Sequence, residues 1–163
     1  MARQPEADFV KIIEILKNYE VDFIVVGGVS AVLHGAPVTT FDLDLVHSRE
    51  PDNREKLMSA LEKMNARYRG VGDRVITPSF EYLASEGHHL FITDYGPLDL
   101  LGTIGKGLGY RELMAKSVDL TAGPFRLRVL ALEELIKLKT ELGTEKDLAV
   151  LPILRSTLRE KTG

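Results

Sequence analysis

At 163 residues, the chain is long enough for one domain with a real core, and 44% hydrophobic and 28% charged residues are ordinary for a soluble globular protein. A net charge of -3 excludes a surface that acts as a whole as an electrostatic trap for nucleic acid. The absence of cysteine removes disulfides, thiolate metal sites and cysteine nucleophiles, and no apolar run approaches the ~20 residues that span a bilayer. The opening Met-Ala-Arg-Gln-Pro-Glu has no signal-peptide hydrophobic region, so a cytoplasmic location and no membrane partner are expected.

A first helix is expected over Glu6–Glu20, where Phe9, Ile12, Ile13, Leu16 and Tyr19 form one apolar stripe. Val21–Val26 reads as a short strand closed by Gly27-Gly28, and Val29–His34 as a short helix ended by Gly35 and Pro37. Phe41–His47 reads as a second strand, and Asp52–Asn65 as a helix with Leu57, Ala60, Leu61 and Met64 inward. Tyr68–Gly87 reads mainly as loops, broken by Gly70, Gly72 and Pro78, with one helical turn near Phe80–Ala84. His88–Thr93 and Leu98–Leu101 form a hairpin around Tyr95-Gly96-Pro97; Gly102–Gly109, with four glycines, is expected to be a mobile loop. A helix over Tyr110–Ser117 precedes a second hairpin, Val118–Leu120 with Phe125–Leu130. Helices over Leu132–Leu142 and Glu145–Arg159 follow, Pro152 starting a turn or kinking the last one. Hairpins in place of regular βαβ units favour an α+β domain, a small mixed sheet flanked by helices. The division expected is a single domain over 1–163, with an α+β core over about 1–125 and a helical C-terminal part over about 126–163.

Chemistry concentrates in Asp42-Leu43-Asp44. Residues two apart in a strand share a face, so both carboxylates project together while Leu43 and Leu45 turn inward. Like charges this close repel, and a divalent cation such as Mg²⁺ relieves the repulsion. Gly27-Gly28 leads into a helix start that binds anions through free N–H groups, and Ser30 either donates to such a phosphate or to the local backbone. A phosphate site beside a metal site suggests a nucleoside triphosphate. Asp99, alone in the apolar run Pro97–Leu101, becomes the third carboxylate if its strand lies beside that of Asp44. Three carboxylates around two Mg²⁺ suit in-line phosphoryl transfer. On the helix Leu132–Leu142, Lys139 falls inside the apolar arc and Lys137 opposite it, so the Lys139 ammonium reaches either a triphosphate or a carboxylate, Asp147. The basic residues Arg54, Lys56, Lys63, Arg67, Arg69 and Arg74 read as a solvated helix face and its loop rather than a nucleic-acid patch. His88 and His89 point to opposite faces, a poor pair for one zinc, and no nucleophile elbow or P-loop motif is present.

The segment Phe23–Val46 resembles the nucleotidyltransferase superfamily typified by DNA polymerase β, and within it the small bacterial AbiEii/MenT-type toxins. Gly27, Gly28, Ser30, His34, Gly35, Thr40, Asp42 and Asp44 match that group's pattern, Asp99 matches its third carboxylate, and Leu135 to Lys139 with Lys146-Asp147 resembles its downstream helical segment. The resemblance implies a nucleotidyltransferase-like fold and Mg²⁺-dependent transfer of a nucleoside monophosphate (Mn²⁺ as a substitute) by two-metal catalysis. Asp42, Asp44 and Asp99 would be catalytic and metal-binding, and Gly27, Gly28, Ser30 and Lys139 nucleotide-binding. The implied partners are an NTP, an acceptor hydroxyl on tRNA, a protein or a small molecule, and a cognate antitoxin. Val38 and Thr144 stand where the group often has arginine. The alternatives are a catalytically weak nucleotide- or partner-binding module of the same fold, and a metal-dependent phosphohydrolase.

Overall fold

The protein is described by a computed structural model covering residues 7–162. The expected helix start at Glu6 and the opening hexapeptide lie outside those residues. The elements are α1 (Phe9–Asn18), β1 (Phe23–Val26), α2 (Gly27–Leu33), β2 (Leu43–His47), α3 (Pro51–Lys63), β3 (Arg67–Tyr68), β4 (His88–Thr93), β5 (Gly96–Leu101), α4 (Tyr110–Met114), β6 (Ser117–Ala122), β7 (Phe125–Leu130), α5 (Leu132–Leu142) and α6 (Glu145–Thr162), with one 3-10 turn at Tyr82–Ala84. The seven strands form one mixed sheet in the order β3-β4-β5-β2-β1-β7-β6. β2 runs parallel to β5, and β1 parallel to β7; the other neighbours are antiparallel. The architecture is α+β, and β7 belongs to the sheet, so the C-terminal helices begin at Leu132.

Alternation of side chains divides the core in two. Leu43, Leu45, Leu98, Leu100 and Phe91 pack with the apolar stripes of α1 and α3 on one side of the sheet. Ile24, Val26, Val46 and Leu130 pack with Ala31, Leu135 and Leu154, from α2, α5 and α6, on the other. A slip of one residue in β2 would exchange Leu43 and Leu45 for Asp44, so burial fixes the register. At the end of α5, Gly143 adopts φ 60° as the left-handed cap, and α6 follows at once. Pro152 does not break α6: it lies on the exposed side with Leu148, whose carbonyl loses its helical donor where water can replace it. The glycine-rich stretch after β5 folds back on itself. Ile104 and Leu108 form an isolated bridge, and Ile104 is buried against the α5 side of the core. No helix among the described residues is long and apolar enough to cross a membrane.

Candidate active site

β2 begins at Leu43, not Phe41, so Asp42 stands just before the strand that carries Asp44, and both line one cleft. Its neighbour β1 ends where Val26 meets Asp44, because the chain turns into α2 at Gly27; on the other side, the register of β5 puts Pro97, which has no N–H to donate, level with Asp42, and the pairing stops at Leu43. Thr40 Oγ1 donates to the Asp42 carbonyl at 3.1 Å and holds the segment as a turn. Asp42 is exposed there, beside Phe41, which is 79% exposed. Asp44 instead gains Asp99, which the parallel register of β2 and β5 puts directly beside it. Asp99 is only 9% exposed, in the middle of the sheet. Among the described residues, no three His, Asp or Glu side chains are gathered closely enough to hold a metal ion together. Asp44 and Asp99 stand side by side in the sheet, and Asp42 lies in the loop just before β2.

Burial pushes the Asp44 carboxyl up from 3.8 to about 7, reinforced by the charge of Asp99, a hydrogen bond with it and the charge of Asp42; Lys139 pulls the other way. Arg69 approaches Asp99 from the far side. Its Nη1 lies 2.7 Å from Asp99 Oδ1, but the approach is not aligned as a hydrogen bond and leaves that oxygen without one. The same nitrogen donates to the Phe91 carbonyl at 2.6 Å. Adjacent carboxylates whose charges repel, one with a buried oxygen that accepts no hydrogen bond, form a donor set that fits a hard divalent cation.

The two glycines are demanded by this geometry. Gly27 has φ +66°, and a Cβ there would collide with Asp44 Oδ2; a Cβ on Gly28 would lie 2.6 Å from Thr40 Oγ1. Ser30 is completely buried and its Oγ donates to the Gly27 carbonyl at 2.5 Å, so its hydroxyl closes the first turn of α2 and does not face the cleft. His34 is buried as well: its Nε2 meets the Leu130 carbonyl at 2.8 Å and its Nδ1 accepts from Lys161 Nζ at 2.6 Å, tying α2 to β7 and α6. Burial lowers its pKa, in keeping with a neutral ring that accepts from lysine.

A cleft of about 270 Å³ opens beside Asp44. Its polar end is Gly27, Gly28, Asp42, Asp44, Lys139 and Lys146; Val38, Leu135, Val150 and Leu154 supply apolar wall. Lys139 Nζ donates to Asp147 Oδ1 at 3.1 Å, so it has its carboxylate and also faces the cleft. Asp147 is anchored independently by the Thr144 hydroxyl at 2.6 Å and backbone N–H at 3.3 Å, and the Thr144 hydroxyl bond first, then Lys139, lowers its pKa. Thr144 thus caps α6 where the resembling group often has arginine. Lys146 lines the cleft beside Lys139; the sequence reading matched it as half of the Lys146-Asp147 segment and gave it no site role.

Solved structures share this arrangement of elements. A protein of Thermotoga maritima assigned as a nucleotidyltransferase superposes with a TM-score of 0.55 at 21% identity, over 93% of this chain and 91% of that chain. The fold is nucleotidyltransferase-like. The lincomycin-bound lincosamide antibiotic adenylyltransferase LnuA matches with a TM-score of 0.62 at 12% identity, over 91% of this chain and 95% of that one. ANT(2'')-Ia in complex with adenylyl-2''-tobramycin matches with a TM-score of 0.59 at 14% identity, over 94% of this chain and 89% of that one. No protein-family model matches the chain, and no curated protein matches it in sequence.

Proposed function

We propose that the protein transfers a nucleoside monophosphate from an NTP to an acceptor hydroxyl, releasing pyrophosphate. The observation that carries this reading is the Asp44–Asp99 pair on adjacent parallel strands, at the mouth of a cleft bearing two lysines. Asp44 and Asp99 would hold divalent cations, Mg²⁺ or Mn²⁺, with Asp42 drawn in from its loop; when bound, such ions polarise phosphoryl oxygens and make the acceptor hydroxyl more acidic. Gly27 and Gly28 let the backbone approach the triphosphate, and Ser30 holds that turn through the Gly27 carbonyl. Lys139 and Lys146 offset triphosphate charge. Asp99 accepts the acceptor's proton as its oxygen bonds the α-phosphorus; the bond from that phosphorus to the bridging oxygen breaks, and pyrophosphate leaves with the electron pair.

The likeness to LnuA and ANT(2'')-Ia supports a small hydroxylated acceptor. The motif resemblance to the AbiEii/MenT-type group adds tRNA or a partner protein as acceptors, in the cytoplasm, and a toxin role with a cognate antitoxin. A second reading, a nucleotide-binding module with weak turnover, draws on Arg69 at Asp99 and on Asp42 outside the strand. Calorimetric titration with each NTP and Mg²⁺, followed by a pyrophosphate-release assay with labelled NTP and total cell extract, separates the readings. Binding with labelled product and pyrophosphate is expected. Binding without release favours the module, and no binding of any NTP overturns both.

A further inference from the structure

The row of residues level with Asp44 continues past Asp99 onto an uncovered part of the sheet. Val26 lies beside Asp44, Asp44 beside Asp99, and Asp99 beside Leu90. Arg69 follows, its backbone N–H bonded to the Leu90 carbonyl at 2.9 Å. Along β4, His89, Phe91 and Thr93 turn into the protein, whereas His88 and Leu90, on the Asp99 side, are exposed, Leu90 at 42%. The nucleotide cleft lies on the opposite side of Asp44, among α2, α5 and α6. An acceptor that brings its hydroxyl to Asp99 while the cleft is full therefore comes in over Leu90, past Arg69.

Arg69 can bind what arrives. Only its Nη1 is engaged; Nε and Nη2 make no hydrogen bond among the described residues, and the side chain is 29% exposed. The guanidinium thus keeps unused donors of its planar fork next to the proton acceptor of the reaction. The next cation on that face, Arg67, is bonded to the Asn65 carbonyl at 2.8 Å and lies 3.8 Å from Asp94 Oδ1. One guanidinium with spare donors suits a single phosphate; it is not the track of cations that a polyanion needs. A polycationic acceptor would set its ammonium groups against the same guanidinium.

We propose that Arg69 is a specificity-determining residue: it selects an acceptor carrying a phosphate monoester near the reactive hydroxyl and turns away polycationic acceptors such as tobramycin. The inference rests on the nucleotidyl-transfer reading and adds the acceptor's charge to it. The bonds made and broken are those of that reaction, and the acceptor's phosphate stays intact. The test titrates ribose 5-phosphate, ribose and tobramycin into protein saturated with Mg²⁺ and a non-hydrolysable NTP analogue. Ribose 5-phosphate is expected to bind at least about tenfold more tightly than ribose or tobramycin, to shift the Arg69 Nε–Hε resonance, and to lose that margin in Arg69→Gln but not in Arg69→Lys. Equal affinity for the two sugars (undetectable for both included), preference for tobramycin, an unmoved resonance, or a margin kept in Arg69→Gln would overturn it. So would Arg69-dependent binding of a short single-stranded oligoribonucleotide without binding of the sugar phosphate. If melting shows Arg69→Gln unfolded, the parent's sugar preference and the resonance decide. Failure of the analogue to bind the parent sinks the nucleotidyl-transfer reading itself; an analogue that binds without the sugar-phosphate margin sinks only the role of Arg69.

Discussion

Asp44 is a carboxyl group held against its own charge. Its pKa rises from 3.8 to about 7 through burial first and then its acidic neighbours. The folded state binds a proton that the unfolded state has lost, so metal-free stability falls as pH rises across that window, on the order of a few kcal/mol in all. Asp44→Asn should therefore raise the melting temperature of the metal-free protein at pH 8. Added Mg²⁺ should raise it in the parent and not in the variant; a parent insensitive to Mg²⁺ would remove Asp44 from the metal site. Lys139 poses a different question, since the structure gives it both a carboxylate and a cleft. Asp147 keeps both of its Thr144 bonds without it, and Lys139 is partly exposed, so Lys139→Met should cost only about 1 kcal/mol of stability. NTP affinity should fall by about tenfold or more, with Lys137→Met as a silent control. Loss of several kcal/mol with unchanged affinity would make Lys139 a purely structural bridge.

The segment from β1 to β2 shows how much an element's neighbours decide. Gly27 and Gly28 are places where another chain segment comes too close for a Cβ, whereas Gly35 has φ +94° and open space around it. Gly28→Ala should destabilise by about 1–3 kcal/mol through its clash with Thr40. Gly27→Ala should cost more, adding left-handed strain and displacing Asp44, while Gly35→Ala should cost about 1 kcal/mol from strain alone. Chemical denaturation ranks the three; Gly35→Ala as the worst would contradict the close-approach account. The glycines, Asp44 and Asp99 were legible in the sequence because strand period and apolar flanks mark them. The start of β2 only after Asp42 was not, because β1 turns into α2 two positions short of facing Asp42 and Pro97 stands level with it in β5. Ser30 turned inward for a reason no spacing carries: the helix starts two residues before the expected Val29, which brings the Gly27 carbonyl beneath its hydroxyl. Arg69 and β3 were hidden by the glycines and proline of Tyr68–Gly87, which erase periodicity. Those loops are instead tied by arginines, Arg54 stacking on Phe80 at 4.2 Å among them.

Across the whole molecule, Asp44 is opposed by buried histidines. Burial lowers the pKa of His34 and His47, and takes His89 down to about 4 from 6.5 with the help of His47 and His88. Between pH 4 and 6.5, the unfolded state binds the His89 proton and the folded state does not, so this contribution to stability grows as pH rises, while that of Asp44 shrinks. The parent should show a shallow melting profile over that range, and Asp44→Asn a steep rise with pH; parallel profiles would show that the two do not offset each other. The sheet also orders events in time. β1 lies inside the sheet, yet one of its two neighbours, β7, is met only where Val25 pairs with Val129, about a hundred residues later. Such long-range parallel pairing is slow to form. On a ribosome, Asp44 and Asp99 emerge well before β7, α5 and the two lysines, so a nascent chain carries its acids before the cleft that would hold a nucleotide. The two halves of the cleft therefore meet only after about a hundred further residues, from Asp44 to Lys146, have been made.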